Sequence, residues 1–224
     1  MKRISNTRAI LGGCLLLASL AGCGGPAVDE WVTQLDDPDP QRRRAAAGQL
    51  AAMQGTSEPV IEALAIASTN SDADVREIAV AALGRKGVES GAVYPALEQA
   101  LADAEVAVRL KAALAIQQID PTNLEYREVL LESLRSGHGT VFLDIGRMGA
   151  DAEWAVPTLV SSLSDQRPAI RALAAKTLGE IHAGDAVVIA ALQQALRDQT
   201  PAVRDAARRS LASISSHDTA KTGK

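Results

Sequence analysis

An all-α solenoid of repeated helix pairs is the architecture this sequence predicts, and three observations predict it. The chain of 224 residues is 47% hydrophobic and 22% charged, yet it holds 42 alanines against five aromatic residues. Alanine is the best helix former, whereas strands are enriched in aromatic and β-branched residues. An arginine recurs at Arg43, Arg76, Arg109, Arg171 and Arg204, with His138 in a degenerate copy, at intervals of 33, 33, 29, 33 and 33 residues. A fixed period of this length is the mark of a stacked array. Around each marker the apolar residues return with the period of a helix, not that of a strand.

The first element is an address. Lys2, Arg3 and Arg8 precede an apolar stretch from Ala9 to Ala21 that is too short to span a bilayer, so residues 1–22 read as a signal peptide. The stretch ends in Leu20-Ala21-Gly22-Cys23, which resembles the lipobox of bacterial lipoproteins. The resemblance implies cleavage before Cys23, lipidation of Cys23 by several acyl chains such as palmitate, and a membrane anchor firmer than one chain gives. Residues 23–27 are then a short tether. Gly24 stands where enterobacterial inner-membrane lipoproteins carry Asp, which favours the outer membrane, with the domain facing the periplasm or the exterior. Cys14 leaves with the leader, so no thiol remains in the mature domain for a nucleophile, a disulfide or a thiolate metal site. Losing Lys2, Arg3 and Arg8 leaves 20 basic against 27 acidic residues, a net charge of −7. That balance, without a basic run, gives no reason to expect nucleic acid.

Residues 28–216 are the array, and each of the six copies predicts two helices. Twelve residues before the markers stand Trp31, Leu64, Leu97, Tyr126, Leu159 and Leu192, on the buried side of a first helix. Pro40, Pro168 and Pro201, with Asp72 and Asp74, mark the turn, where proline and capping side chains are tolerated. The second helix buries the position three after the marker (Ala46, Ala79, Ala112, Val141, Ala174, Ala207) and seven after it (Leu50, Leu83, Ile116, Ile145, Leu178, Leu211). At 100° per residue these positions share one face. The polar run 217–224 lacks apolar periodicity and is expected to be disordered.

Segments such as DADVREIAVAALGRKG (72–87) and RPAIRALAAKTLGEI (167–181), with an acidic residue, then Val-Arg or Ile-Arg, then Ala and Leu-Gly, resemble the HEAT repeats, in particular the short bacterial form also found in phycobilisome lyases. The resemblance implies a right-handed α-solenoid of about six helix pairs whose second helices line a concave surface. It also implies a structural ladder between repeats, formed by Arg43, Arg76, Arg109, Arg171 and Arg204 with Asp37, Asp103, Asp165 and Asp198, which lie six before their markers. Asn70 and Glu132 stand in the acidic position of the other two copies.

Chemistry is hard to find. His138, His182 and His217 lie in different repeats without metal-ligand spacing, and no Walker loop, dinucleotide fingerprint or nucleophile elbow occurs. No catalytic residue, metal or cofactor is expected. Repeat four departs from the pattern: it is four residues shorter, His138 lies between Gly137 and Gly139, and Asp144 stands where repeats two and three have alanine, with Arg147 in reach of it. A bend or hinge there is expected. On the face projected to point outward, most copies are small or charged, but repeats three and four carry Leu110, Leu114, Phe142 and Leu143, rimmed by Arg147. If exposed together they form a partner-binding patch. The expected function is a non-catalytic lipoprotein scaffold that holds another cell-envelope protein, the partner and the oligomeric state remaining open. A bilin-lyase-like or other small-molecule-handling enzyme, or a cell-wall-binding structural protein, are the alternatives.

Overall fold

The computed structural model describes residues 26–86 and 91–222. The signal peptide, Cys23 and the tether before residue 26 lie outside the described residues. Six helix pairs follow one another: α1 (Pro26–Gln34) with α2 (Pro40–Ala52), α3 (Glu58–Ala67) with α4 (Ala73–Lys86), α5 (Val93–Ala100) with α6 (Val106–Ile119), α7 (Glu125–Ser136) with α8 (Gly139–Met148), α9 (Val156–Ser162) with α10 (Pro168–Glu180), and α11 (Ala186–Ala195) with α12 (Pro201–Thr222). A 3-10 segment, Gly149–Ala155, precedes the short α9. No strand occurs among the described residues.

The helices start where the sequence places them. Pro40, Pro168 and Pro201 open α2, α10 and α12, where the missing N–H would have no intrahelical partner. The Asp39 carboxylate accepts the Gln41 N–H at 2.9 Å, and Asp185 accepts the Val188 N–H at the same distance. Gly137 ends α7 in the left-handed region at φ 73°, and the His138 N–H returns to the Ser133 carbonyl at 3.0 Å. Glycine is the residue that adopts this conformation without a Cβ penalty.

The core is a continuous spine of small and branched side chains. Ala46, Ala79, Ala112, Val141, Ala174 and Ala207 are wholly inaccessible, as are Leu50, Leu83, Ile116, Ile145 and Leu178. On the first helices Leu64, Leu97, Tyr126, Leu159 and Leu192 are buried, and Trp31 packs against the same core. The second helices stack closely on one another, α2 on α4, α4 on α6, α8 on α10 and α10 on α12, while the first helices touch less. They therefore line the inner side of the array. Where α9 is short, the 3-10 segment sets Trp154 edge-on to Tyr126 at 6.1 Å, and the Arg127 guanidinium lies 5.9 Å from the Tyr126 ring and 5.7 Å from the Trp154 ring.

Two expectations are corrected. α12 continues to Thr222, so the tail expected to be disordered is helical as far as it is described. Once a helix is packed, each further residue adds a hydrogen bond, and the Ser215 hydroxyl donates to the Leu211 carbonyl at 2.9 Å. His217 on this extension lies against His182, with ring centroids 4.2 Å apart. The apolar patch is the second correction: Phe142 is wholly buried, and Leu110 and Leu114 are half-buried against the core. The position four after the marker holds Ala47, Val80, Ala113, Phe142 and Ala175, all buried, and becomes exposed only at Arg208 in the last repeat. A second helix is covered by its own first helix and by the next second helix as well. The buried arc is thus wider than a single amphipathic helix projects.

An unpaired carboxylate has no partner in such a spine, so Leu83→Asp and Leu178→Asp are each expected to lower the unfolding free energy by about 3–5 kcal/mol. Denaturant titration of the full chain checks this; a shift within experimental error would contradict the repeat register.

Candidate functional site

The polar chemistry of the chain is concentrated in the inter-helix turns, and it repeats. The aspartate six before the marker accepts the N–H two residues on: Asp37 from Asp39, Asp103 from Glu105, Asp165 from Arg167 and Asp198 from Thr200, each at 2.8 Å. Asn70 does the same for Asp72 at 2.9 Å. The marker arginine then folds back over this turn. Arg43, Arg76, Arg109, Arg171 and Arg204 each donate Nη1 to the carbonyl of that aspartate or asparagine, at 2.7–2.9 Å, and to the following carbonyl at 2.9–3.2 Å.

The other edge of the guanidinium reaches the next repeat. Arg76 grips Asp103 through Nε and Nη2 at 2.7 and 2.9 Å, and Arg171 grips Asp198 at 2.7 and 3.0 Å. Two parallel bonds of this kind fix geometry as well as charge. Between repeats one and two the acidic position is Asn70, and the rung shifts by two residues. Arg43 Nη2 meets Asp72 at 3.0 Å, while the Asn70 amide donates to the Leu35 carbonyl at 2.9 Å.

Repeat four breaks the ladder on both sides. Among the described residues no ion pair joins Arg109 to Glu132, so the rung between repeats three and four is open. On the other side His138 cannot supply a fork to Asp165, and Arg167 takes the part from within repeat five. It holds Asp165 through Nε and Nη2 at 2.9 and 2.8 Å and donates Nη1 to the Ser136 carbonyl of repeat four at 3.1 Å. A Cβ at Gly137 would run into the Arg167 guanidinium, so the glycine beside His138 leaves room for the substitute rung.

These bonds hold the carboxyls ionised. The bidentate Arg76 bond, aided by the Glu105 N–H and opposed by burial, keeps Asp103 below the usual carboxylate range. Arg171 lowers Asp198 to about 2, and Arg167, by side chain and backbone, lowers Asp165 to about 2. Lys86, which interrupts the apolar position ten after the marker, donates to the carbonyls of Met53 and Gly55 at 2.7 and 3.0 Å and so closes the end of α2. Burial, with Arg85 adding to it, lowers its pKa.

At the open junction lies a cleft of about 330 Å3 on the second-helix face, between α6 and α8. Leu114, Gln117, Gln118, Asp144, Arg147 and Met148 line it. Of the residues singled out as a partner surface, Leu114 and Arg147 come together here, and Arg147 donates to Asp144 at 2.7 Å as the spacing predicted. Leu110 lies one turn before Leu114 on α6, and Leu143 is half-buried on α8. Phe142 faces the core and takes no part, its carbonyl accepting the buried Thr177 hydroxyl at 3.0 Å.

The cleft exists because two small positions are large. Eight after the marker, α4 and α10 carry Gly84 and Gly179, where a Cβ would fall 2.5 Å from the Ala115 Cβ and 2.5 Å from the Ser210 Oγ of the next second helix. The matching pair at the open junction is Gln117 with Asp144. Gln117 was legible as a break in the Leu-Gly pattern, and Asp144 as a break in an alanine position; neither means much until the two are seen to face each other.

Because Asp103 is held below the ordinary carboxylate value by its partner, it favours the folded state above the unfolded pKa near 3.9 and loses that contribution as pH falls toward its folded value. Asp165 and Asp198 extend this loss down to about pH 2. Arg76→Ala is expected to cost about 1–3 kcal/mol near neutral pH, through the lost fork and turn bonds, and to flatten the fall in stability between pH 4 and pH 2. Denaturation midpoints across that range check both. An unchanged acid slope would contradict the rung.

Known proteins place this geometry. The family model for HEAT repeats matches residues 61–143 and 139–212. No curated protein matches the chain in sequence. Among solved structures, a designed armadillo repeat protein in complex with the peptide (KR)4 is 20% identical with a TM-score of 0.53, covering 84% of this chain and 99% of its own. An engineered protein is 21% identical with a TM-score of 0.52, over 84% of this chain and 98% of its own. The CpcE–CpcF complex of phycocyanin lyase from Nostoc is 18% identical over 91% of this chain and 82% of that one, with a TM-score of 0.49. At these identities the likeness is one of fold. The family match spans well over half of the chain, and with six laddered helix pairs behind it the protein belongs to the HEAT-repeat proteins.

Proposed function

We propose that this protein is a lipid-anchored, non-catalytic scaffold that holds another cell-envelope protein on the second-helix face of its solenoid. The observation that carries the reading is the division of labour among its polar groups. The marker arginines are spent on turn carbonyls, and Arg43, Arg76 and Arg171 also on carboxylates of the next repeat, building a stiff frame, while the amides of Gln117 and Gln118 and the apolar atoms of Leu114 and Met148 remain at an open cleft. Amides that both donate and accept, set beside apolar surface, are the groups that pair with a polypeptide chain. The same architecture holds a (KR)4 peptide in the designed armadillo repeat protein.

The address rests on Leu20-Ala21-Gly22-Cys23 and on the positive start before it. No described helix is long and apolar enough to cross a membrane, and no group of three His, Cys, Asp or Glu among the described residues could hold a metal ion. With Gly24 after the cysteine, the reading favours the outer membrane.

Growing cells on an alkyne fatty acid tests the anchor. Label should appear on the full chain and vanish with Cys23→Ser, and an unlabelled wild type would sink the lipoprotein reading. In-cell crosslinking and purification from detergent-solubilised membranes test the scaffold. One envelope protein should be enriched by the wild type and reduced about tenfold or more by Gln118→Lys with Arg147→Glu, as expected when contacts central to an interface are reversed. Both positions are exposed, so melting should stay unchanged. Equal recovery of bulk membrane protein with both chains would contradict the reading.

A further inference from the structure

The junction between repeats three and four lacks the close stacking of second helices found at the other four junctions. At the junctions on either side, the position eight after one marker and the position six after the next are both small: Ala51 and Ala82, Gly84 and Ala115, Gly146 and Thr177, Gly179 and Ser210; a Cβ on Gly84 or Gly179 would strike Ala115 or Ser210, and one on Gly146 would strike the Glu180 side chain. These residues are small enough for helices to touch. In the C-terminal half the hydroxyls also stitch the helices, Thr177 to the Phe142 carbonyl at 3.0 Å and Ser210 to the Ala175 carbonyl at 2.7 Å. Gln117 and Asp144 replace this pairing at the junction of repeats three and four, and α6 does not stack on α8.

The first helices do not stack there either: the Asn123 amide, in the turn before α7, donates to the Tyr94 hydroxyl of α5 at 2.5 Å, and the two halves otherwise meet where α6 lies along α7. The ladder is open at the same place. Arg109 donates to the Asp103 and Ala104 carbonyls of its own turn at 2.7 and 3.0 Å, but among the described residues it has no ion pair with Glu132. Elsewhere each junction carries an ion pair across it or in reach of it: Arg43 to Asp72, Arg76 to Asp103, Arg167 to Asp165 with its bond to Ser136, and Arg171 to Asp198.

We infer that the α6–α7 contact is a hinge, and that the solenoid moves as two rigid arms, α1–α6 and α7–α12, whose rotation opens and closes the cleft between α6 and α8. Close-packed, interlocked helices resist sliding and rotation, whereas one helix-on-helix contact, with a single side-chain bond beside the same turn, is the geometry about which rigid bodies turn. The Gln117–Asp144 pair acts as the wedge that keeps the second helices apart, and the hinge lies at the repeat boundary, not within α8. The motion sets the width and curvature of the inner face, independently of what the cleft holds or where the chain is anchored.

Distance distributions between paired spin labels on the full chain test this. The labels are carried on unnatural residues so that Cys14 and Cys23 stay in place. One pair spans the cleft at positions 118 and 147. The controls are 85 with 118 inside the first arm and 176 with 209 inside the second, all exposed sites. The distribution across the cleft should be about twofold or more broader than either control, as expected for rotation of rigid bodies about a hinge. Gln117→Gly with Asp144→Ala should shorten the mean 118–147 distance and narrow the distribution to that of the controls. A wild-type distribution as narrow as the controls would overturn the hinge, whatever the fate of the double variant. Should the variant fail to fold, the comparison of the three wild-type pairs decides alone.

Discussion

Everything in this molecule depends on what one arginine does in each inter-helix turn. A turn between antiparallel helices leaves carbonyls at its apex with no helical partner. The marker arginine satisfies two of them with Nη1, and in doing so it is held in place for its remaining edge to reach across to the next repeat. Local and long-range order are thereby coupled in one side chain. The aspartate that receives the fork is itself tied to its own turn by an N–H bond, so each rung joins two turns already closed. A guanidinium presents planar, paired donors that a lysine ammonium lacks, which is why the repeating residue is arginine. The ion pairs are only 11–15% exposed at Arg76, Asp103, Arg171 and Asp198, and the complete set of hydrogen bonds compensates the desolvation of their charges.

The same coupling explains the shape of the exceptions. A repeat array is stable because each unit buries its face on its neighbours, so a defect at one junction leaves the rest intact. Repeat four lacks the marker arginine, and the junction after it is rescued by Arg167 from the following turn, with Gly137 making room. The junction before it is not rescued. The difference lies in the second helices: α8 and α10 carry Gly146 and Thr177 and come together, while Gln117 and Asp144 hold α6 and α8 apart. An open rung and a wedged pair therefore coincide, and the array has one soft boundary between two stiff halves.

Much of this was legible in the sequence, because periodicity reports burial. The arginine spacing fixed the number of helix pairs, and the positions three and seven after each marker named most of the spine, down to alanines that are wholly inaccessible. Phe142 shows where that reasoning stops. A helical projection divides residues into a covered face and a free face, but a helix inside a stack has two covered faces, and the position that looks outward on the wheel lies under the next repeat. Arg167 was hidden for a related reason. It is out of register, two residues after an aspartate, and nothing in its local sequence says that it reaches back 31 residues to Ser136. Asp72 is the third case, accepting Arg43 because Asn70 occupies the acidic position and leaves the fork to the next carboxylate.

The apolar residues of repeats three and four acquire a different meaning once these contacts are known. Phe142 is the one large side chain in a position that is alanine or valine in the other buried copies, and it lies wholly buried on the side of α8 that the next repeat covers. Leu114, half-buried at the same place, stands where the first two repeats have Gly48 and Ala81. The cleft is thus a packed feature of the fold, and its lining of amides, an Asp144–Arg147 pair and Leu114 follows from what is needed to keep two neighbouring helices from closing.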